Sequence, residues 1–324
     1  MKRVLMSAVI FLLGGLAGAT RGFAETAPRD ISLKAADSIT LKGTYYAATK
    51  PGPGIVLLHQ CNRDRRSWNN LATRLTAEGF HVLTLDYRGY GESGGERFME
   101  LPNERQAAEQ KKWPGDIDLA FAYLLAQPGV EKNRIGAAGA SCGVNQSIQL
   151  ALRHAEVKSL ALLSGFTDEA GRRYLRQSAW LPILAAASDD DGNLVQLMRW
   201  LLDFSRNPRN RFVEYRAAGH GTEMFAVEKG LEPLLEEWFE KTLRGAPVTA
   251  SSDQGTTKPT PVMEFWDVLT GPSGAARARQ LFAEAKKRDP NVFLFPEFAV
   301  NLLGYERLQS GAAQDAIEIF KLNV

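Results

Sequence analysis

The sequence predicts an α/β fold: a mostly parallel sheet with helices on both faces. From about residue 30 to residue 245, short apolar runs alternate with amphipathic stretches at the spacing of strand–helix–strand units. Residues 54–58, 81–85, 134–138, 157–163, 183–187 and 212–215 are apolar almost throughout, as strands covered on both faces are. The run Gly139-Ala140-Ser141-Cys142-Gly143 falls where one strand pattern stops and a helix pattern begins.

Taken in order, residues 31–34 and 39–42 alternate apolar with polar and predict two antiparallel edge strands. The buried-strand runs follow, separated by helical stretches at residues 67–77, 116–126, 146–153 and 194–204. A last helix at about 224–243 closes this body, which spans residues 25–245. Residues 246–262 are rich in Pro, Ser, Thr and Gly without apolar period and read as a linker. Residues 263–324 are helical in character. Ala278, Phe282, Ala285 and Pro290 stand at the offsets of a tetratricopeptide second helix and its closing proline. Gly304, Gly311, Ala316 and Phe320 fit the same template again, and on it the chain stops at Val324 within a helix, as a truncated array would. An unrelated helical hairpin packed on the main body fits the same residues.

The first residues follow another logic. Lys2 and Arg3 precede an apolar stretch to Ala19, and Gly22-Phe23-Ala24 places small residues at −3 and −1 of a cut after Ala24. That is a secretory signal peptide, which implies an exported, periplasmic or secreted protein without stable membrane insertion after cleavage. Losing Lys2, Arg3 and Arg21 takes the formal charge from +2 to −1, so no nucleic-acid partner is implied. The 324-residue composition, 44% hydrophobic and 23% charged, excludes collagen-like, disordered and multi-span membrane chains.

A strand-to-helix turn forces strained angles on Ser141, and small neighbours let it close, which makes Ser141 the candidate nucleophile. Free N–H groups at the helix start suit a developing oxyanion. A serine needs an adjacent base. Of the four histidines, His81 lies in a strand pattern, His154 at a helix end, and His59 at the end of a strand in a different motif. His220, between Gly219 and Gly221 after the last strand, remains as the base. The orienting acid falls in Ser188-Asp189-Asp190-Asp191, between serine and histidine in chain order, and the three carboxylates leave the choice open.

With these residues in place, the region 30–245 resembles the α/β-hydrolase superfamily, and within it the dienelactone-hydrolase-like and small-serine-esterase branch. The resemblance implies an α/β-hydrolase fold with a short cap, acting on a small-molecule ester. Counting nine residues from Pro182, as that family does, implies Asp191 as the acid, with Asp190 as the alternative. His59-Gln60-Cys61 stands where relatives carry His-Gly-x, implying oxyanion N–H donors at Cys61 and Cys142. Gln60 replaces glycine, which would narrow the pocket or add a polar contact. Asp86-Tyr87-Arg88-Gly89-Tyr90-Gly91-Glu92-Ser93 looks like the structural D-x-R-G-x-G-x-S turn of the family. Dienelactone hydrolases proper use cysteine as nucleophile, and Cys142 stands one place late for that. If both donors are placed so, the two cysteines fall within bonding range and a Cys61–Cys142 disulfide follows.

Only residues 165–181 are available for a cap between the sixth and seventh strands, which implies an open cleft. Arg172, Arg173 and Arg176 there read as a solvated basic helix face or as a contact for an acidic substrate. No metal or organic cofactor is implied, since the histidines form no ligand cluster. The helical tail offers a surface for a protein partner. Thioesterase, lactonase or peptidase chemistry shares the same triad, and a silent domain serving as a binding scaffold is the other reading.

Overall fold

The computed structural model describes residues 27–245, 259–271 and 274–323. The leader, the cut after Ala24 and most of the expected linker lie outside the described residues. Eight strands form one sheet in the order β1-β2-β4-β3-β5-β6-β7-β8: β1 (Arg29–Lys34), β2 (Thr40–Tyr46), β3 (Gly52–Leu58), β4 (His81–Leu85), β5 (Val130–Ala140), β6 (Val157–Leu163), β7 (Ile183–Ser188) and β8 (Arg211–Tyr215). Strand β2 runs antiparallel to both β1 and β4, and every other pairing is parallel. This is the α/β-hydrolase fold.

The helices are α1 (Asn69–Ala77), α2 (Asn103–Gln110), α3 (Trp113–Leu125), α4 (Cys142–Arg153), α5 (Glu169–Gln177), α6 (Leu194–Leu202), α7 (Met224–Val227), α8 (Leu231–Phe239), α9 (Pro261–Thr270), α10 (Ala275–Arg288), α11 (Glu297–Gln309) and α12 (Ala313–Phe320). The period of two along the strands divides the core between the faces. Val56 and Leu58 of β3 pack with Ile117, Phe121, Val144 and Ile148 on the α3–α4 side. Ile55 and Leu57 pack with Leu71, Leu75, Leu235 and Phe239 on the α1–α8 side. Continuous apolar runs were required because both faces are covered.

Three elements depart from the periodicity. Helix α2 buries no residue, so it carries no apolar stripe by which to foresee it. The single helix expected at 224–243 is broken at Glu228, where the backbone leaves the helical region (φ −95°, ψ 86°) before α8 restarts. Helix α9 begins inside the stretch read as linker: Thr260 caps it, its Oγ1 accepting from the Met263 N–H at 3.1 Å, with Pro261 at the first helical position.

The C-terminal helices share the hydrolase core. Val262, Phe265, Trp266 and Leu269 of α9 bury in the cluster that holds Met198, Trp200 and Leu201 of α6. The indole N–H groups of Trp200 and Trp266 both donate to the Leu294 carbonyl, at 2.9 and 3.0 Å. Arg172, on α5, is buried with its guanidinium 5.2 Å from the Trp200 ring and 5.1 Å from the Trp266 ring. Burial pushes its pKa down, while Glu169 offsets that by pairing with it at 2.8 Å. Arg176 pairs with Asp267 of α9. These two arginines are thus not a solvated face; they clamp the tail to the body, and Arg172 also lines the cavity that holds Ser141.

Candidate active site

Ser141 sits between β5 and α4 with φ 53° and ψ −118°, a left-handed conformation costly for a residue with a side chain. Its N–H donates to Leu163 O at 2.8 Å, which holds the turn against β6. A Cβ on Gly139 would collide with the Gly143 carbonyl, and one on Gly143 with the Leu58 carbonyl. Both glycines are therefore steric requirements of the turn. The result presents Ser141 at the carboxyl end of the sheet, where open α/β folds place ligands.

The three neighbouring carboxylates separate by partner. Ser188 Oγ accepts from the Ala218 N–H at 2.8 Å, and Asp189 from the Ala217 N–H at 2.9 Å. Asp190 accepts from the Gly219 N–H at 3.2 Å and from Ser188 Oγ, whose hydrogen bond holds its carboxyl below the usual range. Asp191 alone of the three reaches the imidazole, its oxygens 2.7 and 2.9 Å from His220 Nδ1. Because a carboxylate only accepts, Nδ1 carries the proton and Nε2 is left as the acceptor. Ser141 and His220 line one cavity of about 730 Å³.

The other histidines are committed elsewhere. Buried His59 donates from Nδ1 to Gln60 O at 2.8 Å and accepts at Nε2 from the Tyr87 N–H at 3.1 Å. Burial also pushes its pKa down, so the ring stays neutral and pins the turn after β3. His81 bonds the Tyr45 hydroxyl at 2.7 Å, and His154 bonds Asp118 at 2.9 Å. The turn read as structural from its motif acts so: Asp86 accepts from the Arg65 N–H at 2.7 Å and from the Glu92 N–H at 2.9 Å.

Cys61 and Cys142 are joined by a disulfide with Cα atoms 5.9 Å apart. Cys142 opens α4, where first-turn N–H groups have no intrahelical acceptor. Among the described residues no backbone carbonyl outside the helices and strands accepts from the Cys61 N–H or the Cys142 N–H. Cys142 lines the cavity of Ser141, while Cys61 lines a second cavity of about 820 Å³. The bond therefore stands between the two. Replacing both cysteines by serine is expected to lower the unfolding free energy by up to about 4.5 kcal/mol, the loop-closure value for a cross-link spanning 81 residues. Urea unfolding of the two proteins measures this, and coincident curves would show the bond contributes nothing.

Gln60 does not narrow the cavity. Its buried amide oxygen accepts from the Thr222 N–H at 2.7 Å and from Thr222 Oγ1 at 2.8 Å, while its nitrogen reaches His220 O at 3.4 Å. It ties the loop after β3 to the histidine loop. A Cβ on Gly221 would strike that amide, so the glycine after His220 makes room for the tie. The amide position offered no sequence signal for this role beyond its departure from glycine.

The C-terminal helices supply part of the cleft wall. Beside Ser141 and His220 its walls include Trp113 of α3, Phe166 after β6, Leu194 of α6, and Phe298, Ala299 and Leu302 of α11. Phe166 and Phe298 meet with ring centroids 5.0 Å apart. Residues 165–181, between β6 and β7, are too few for a large cap, and a helix of the C-terminal segment forms part of the wall instead. Nothing local in residues 297–309 signals where it docks.

Residues 49–189 match the family described as Serine aminopeptidase, S33. An uncharacterized protein of Mycobacterium tuberculosis is 33% identical over 162 residues, covering 48% of this chain and 52% of that protein. The thiohydrolase aneE of Aspergillus aculeatus is 30% identical over 125 residues, 38% of this chain and 36% of its own length. The chain thus spans about half the length, or less, of these curated relatives. Among solved structures, the dienelactone hydrolase of Anabaena variabilis superposes with a TM-score of 0.52 at 18% identity, over 67% of this chain and 99% of that one. At that identity the likeness concerns the fold.

Proposed function

We propose that this chain, an α/β-hydrolase in fold, is a serine hydrolase that cleaves an ester through Ser141, His220 and Asp191. The observation that carries the reading is the Asp191–His220 Nδ1 pair, which frees Nε2 as a base in the same cavity as a strained serine. Nε2 takes the proton of Ser141 as Oγ adds to the ester carbonyl. The Cys61 and Cys142 N–H groups receive the negative oxygen of the tetrahedral intermediate. The alkoxy group then leaves with the proton from Nε2, and the acyl group stays on Ser141. Water repeats the sequence, giving its proton to His220 and its oxygen to the acyl carbon, and Ser141 is restored. The residues for this chemistry all belong to the chain, and no step needs a cofactor. The likeness to a thiohydrolase favours thioesters as a second substrate class, which the same steps accommodate.

The leader read in residues 1–24 and the Cys61–Cys142 bond both support an exported enzyme, since disulfides persist in oxidising compartments. Among the described residues no helix is long and apolar enough to cross a membrane. A fluorophosphonate probe tests the chemistry directly. Incubated with the folded full chain, it is expected to leave one covalent adduct on the peptide that contains Ser141. Folded protein with no adduct there would overturn the reading in favour of a binding scaffold.

A further inference from the structure

We infer that α11 is the acyl-binding wall of the site, so that the C-terminal helices act as the cap and the preferred substrates carry large apolar acyl groups. This rests on the serine-hydrolase reading and goes beyond it in naming the substrate side. Three observations carry it.

First, the wall is built from apolar side chains left exposed. Phe166, Phe298 and Leu302 are 48%, 38% and 49% exposed and face one cavity beside Ser141. Apolar surface gathered in a concave site of this volume is what an apolar ligand would cover.

Second, the polar groups on the Thr167–Asp168 side of that wall are already used, while Gln146 Oε1 and Ser164 Oγ elsewhere in the cavity have no partner among the described residues. Asn145 Oδ1 accepts from Thr167 Oγ1 at 2.6 Å, and Asp168 accepts from the Gln149 amide at 2.7 Å and from the Gly171 N–H at 2.8 Å. A polar acyl group entering there would give up its water and find these groups already paired with one another, which costs free energy. An alkyl chain would lose nothing.

Third, the wall is held rigidly rather than resting on the surface. Val300 of α11 is fully buried, Leu294 just before it takes both indole N–H bonds, and the Asn323 amide donates to the Glu297 carbonyl at 3.3 Å. Phe298 and Leu302 lie one helical turn apart, so they present one surface to the cavity. A fixed apolar surface discriminates between chain lengths because each methylene it covers adds to binding.

The test uses p-nitrophenyl acetate and octanoate with the full chain. The kcat/KM for octanoate is expected to exceed that for acetate by about tenfold or more, the discrimination an apolar pocket gives. Phe298→Ala with Leu302→Ala should reduce that octanoate-to-acetate ratio about tenfold, whereas Leu308→Ala, exposed on the same helix and outside the cavity, should leave it alone. Leu302→Trp fills the cavity instead of emptying it and should move the optimum to shorter chains, which keeps the test decisive should the double variant lose its helix. A ratio unmoved in both cavity variants, with the Ser141 adduct still forming, would overturn the cap while the hydrolase stands. No adduct in the wild-type chain would mean the hydrolase reading itself had failed.

Discussion

Ser141→Ala is expected to lower kcat for ester hydrolysis by roughly a million-fold, about 8 kcal/mol of lost transition-state stabilisation. His220→Ala should cost nearly as much, and the two together scarcely more than either alone. The reason is that, on the proposed mechanism, the two side chains act as one unit. Without Nε2 to take its proton, the Ser141 hydroxyl is a weak nucleophile near neutral pH; without the hydroxyl, the base has nothing to activate. On the proposed mechanism, what survives in every variant is the contribution of the two cysteine N–H groups and of substrate binding, which can still leave about a thousandfold acceleration over water. Steady-state kinetics on a p-nitrophenyl ester, with all three variants shown to unfold like the wild type, measures the pattern. Additive losses would separate the two residues and remove the basis for a shared mechanism.

How much of this was legible beforehand depends on whether the signal was local. Strands at 81–85 and 157–163 are found at the residues where their apolar runs lie, because a strand covered on both faces is mostly apolar and tolerates only a few polar residues such as Thr84 and Ser159. The turn at Ser141 was equally readable: Gly139 and Gly143 are there because a Cβ at either would strike backbone. Chain order alone could leave three acids in play, since Asp189, Asp190 and Asp191 differ only in which way each side chain points. Long-range docking left still less trace. Phe298 and Leu302 are apolar residues one turn apart, a pattern equally suited to any buried helix face, and Ser141 lies more than 150 positions away. Arg172 shows the opposite failure: three basic residues in five suggest a wet surface, yet two aromatic rings from different segments close over it. In each case the deciding contact involves residues far apart in sequence, and the period of a single helix or strand cannot encode it.

Asp191→Asn is expected to reduce kcat/KM by about 10³–10⁴-fold, whereas Asp190→Asn should stay within about tenfold of wild type. The contrast follows from what each carboxylate holds. Residues 188 to 191 bond, one to one, with residues 217 to 220, fastening the turn that delivers His220. Asp190 contributes to that fastening by accepting from a backbone N–H, and an asparagine oxygen can accept the same bond. Asp191 alone meets the imidazole, and there an amide is no substitute for a carboxylate. The Asn nitrogen can donate to Nδ1, which moves the ring proton to Nε2 and leaves no lone pair to receive the proton of Ser141. Even with Nδ1–H retained, the neutral amide would not stabilise the imidazolium that forms as the serine attacks. Measuring kcat/KM for both variants decides between them. Equal losses would mean the two carboxylates share the imidazole in solution, whereas a loss confined to Asp191 is what one carboxylate fixing one tautomer requires.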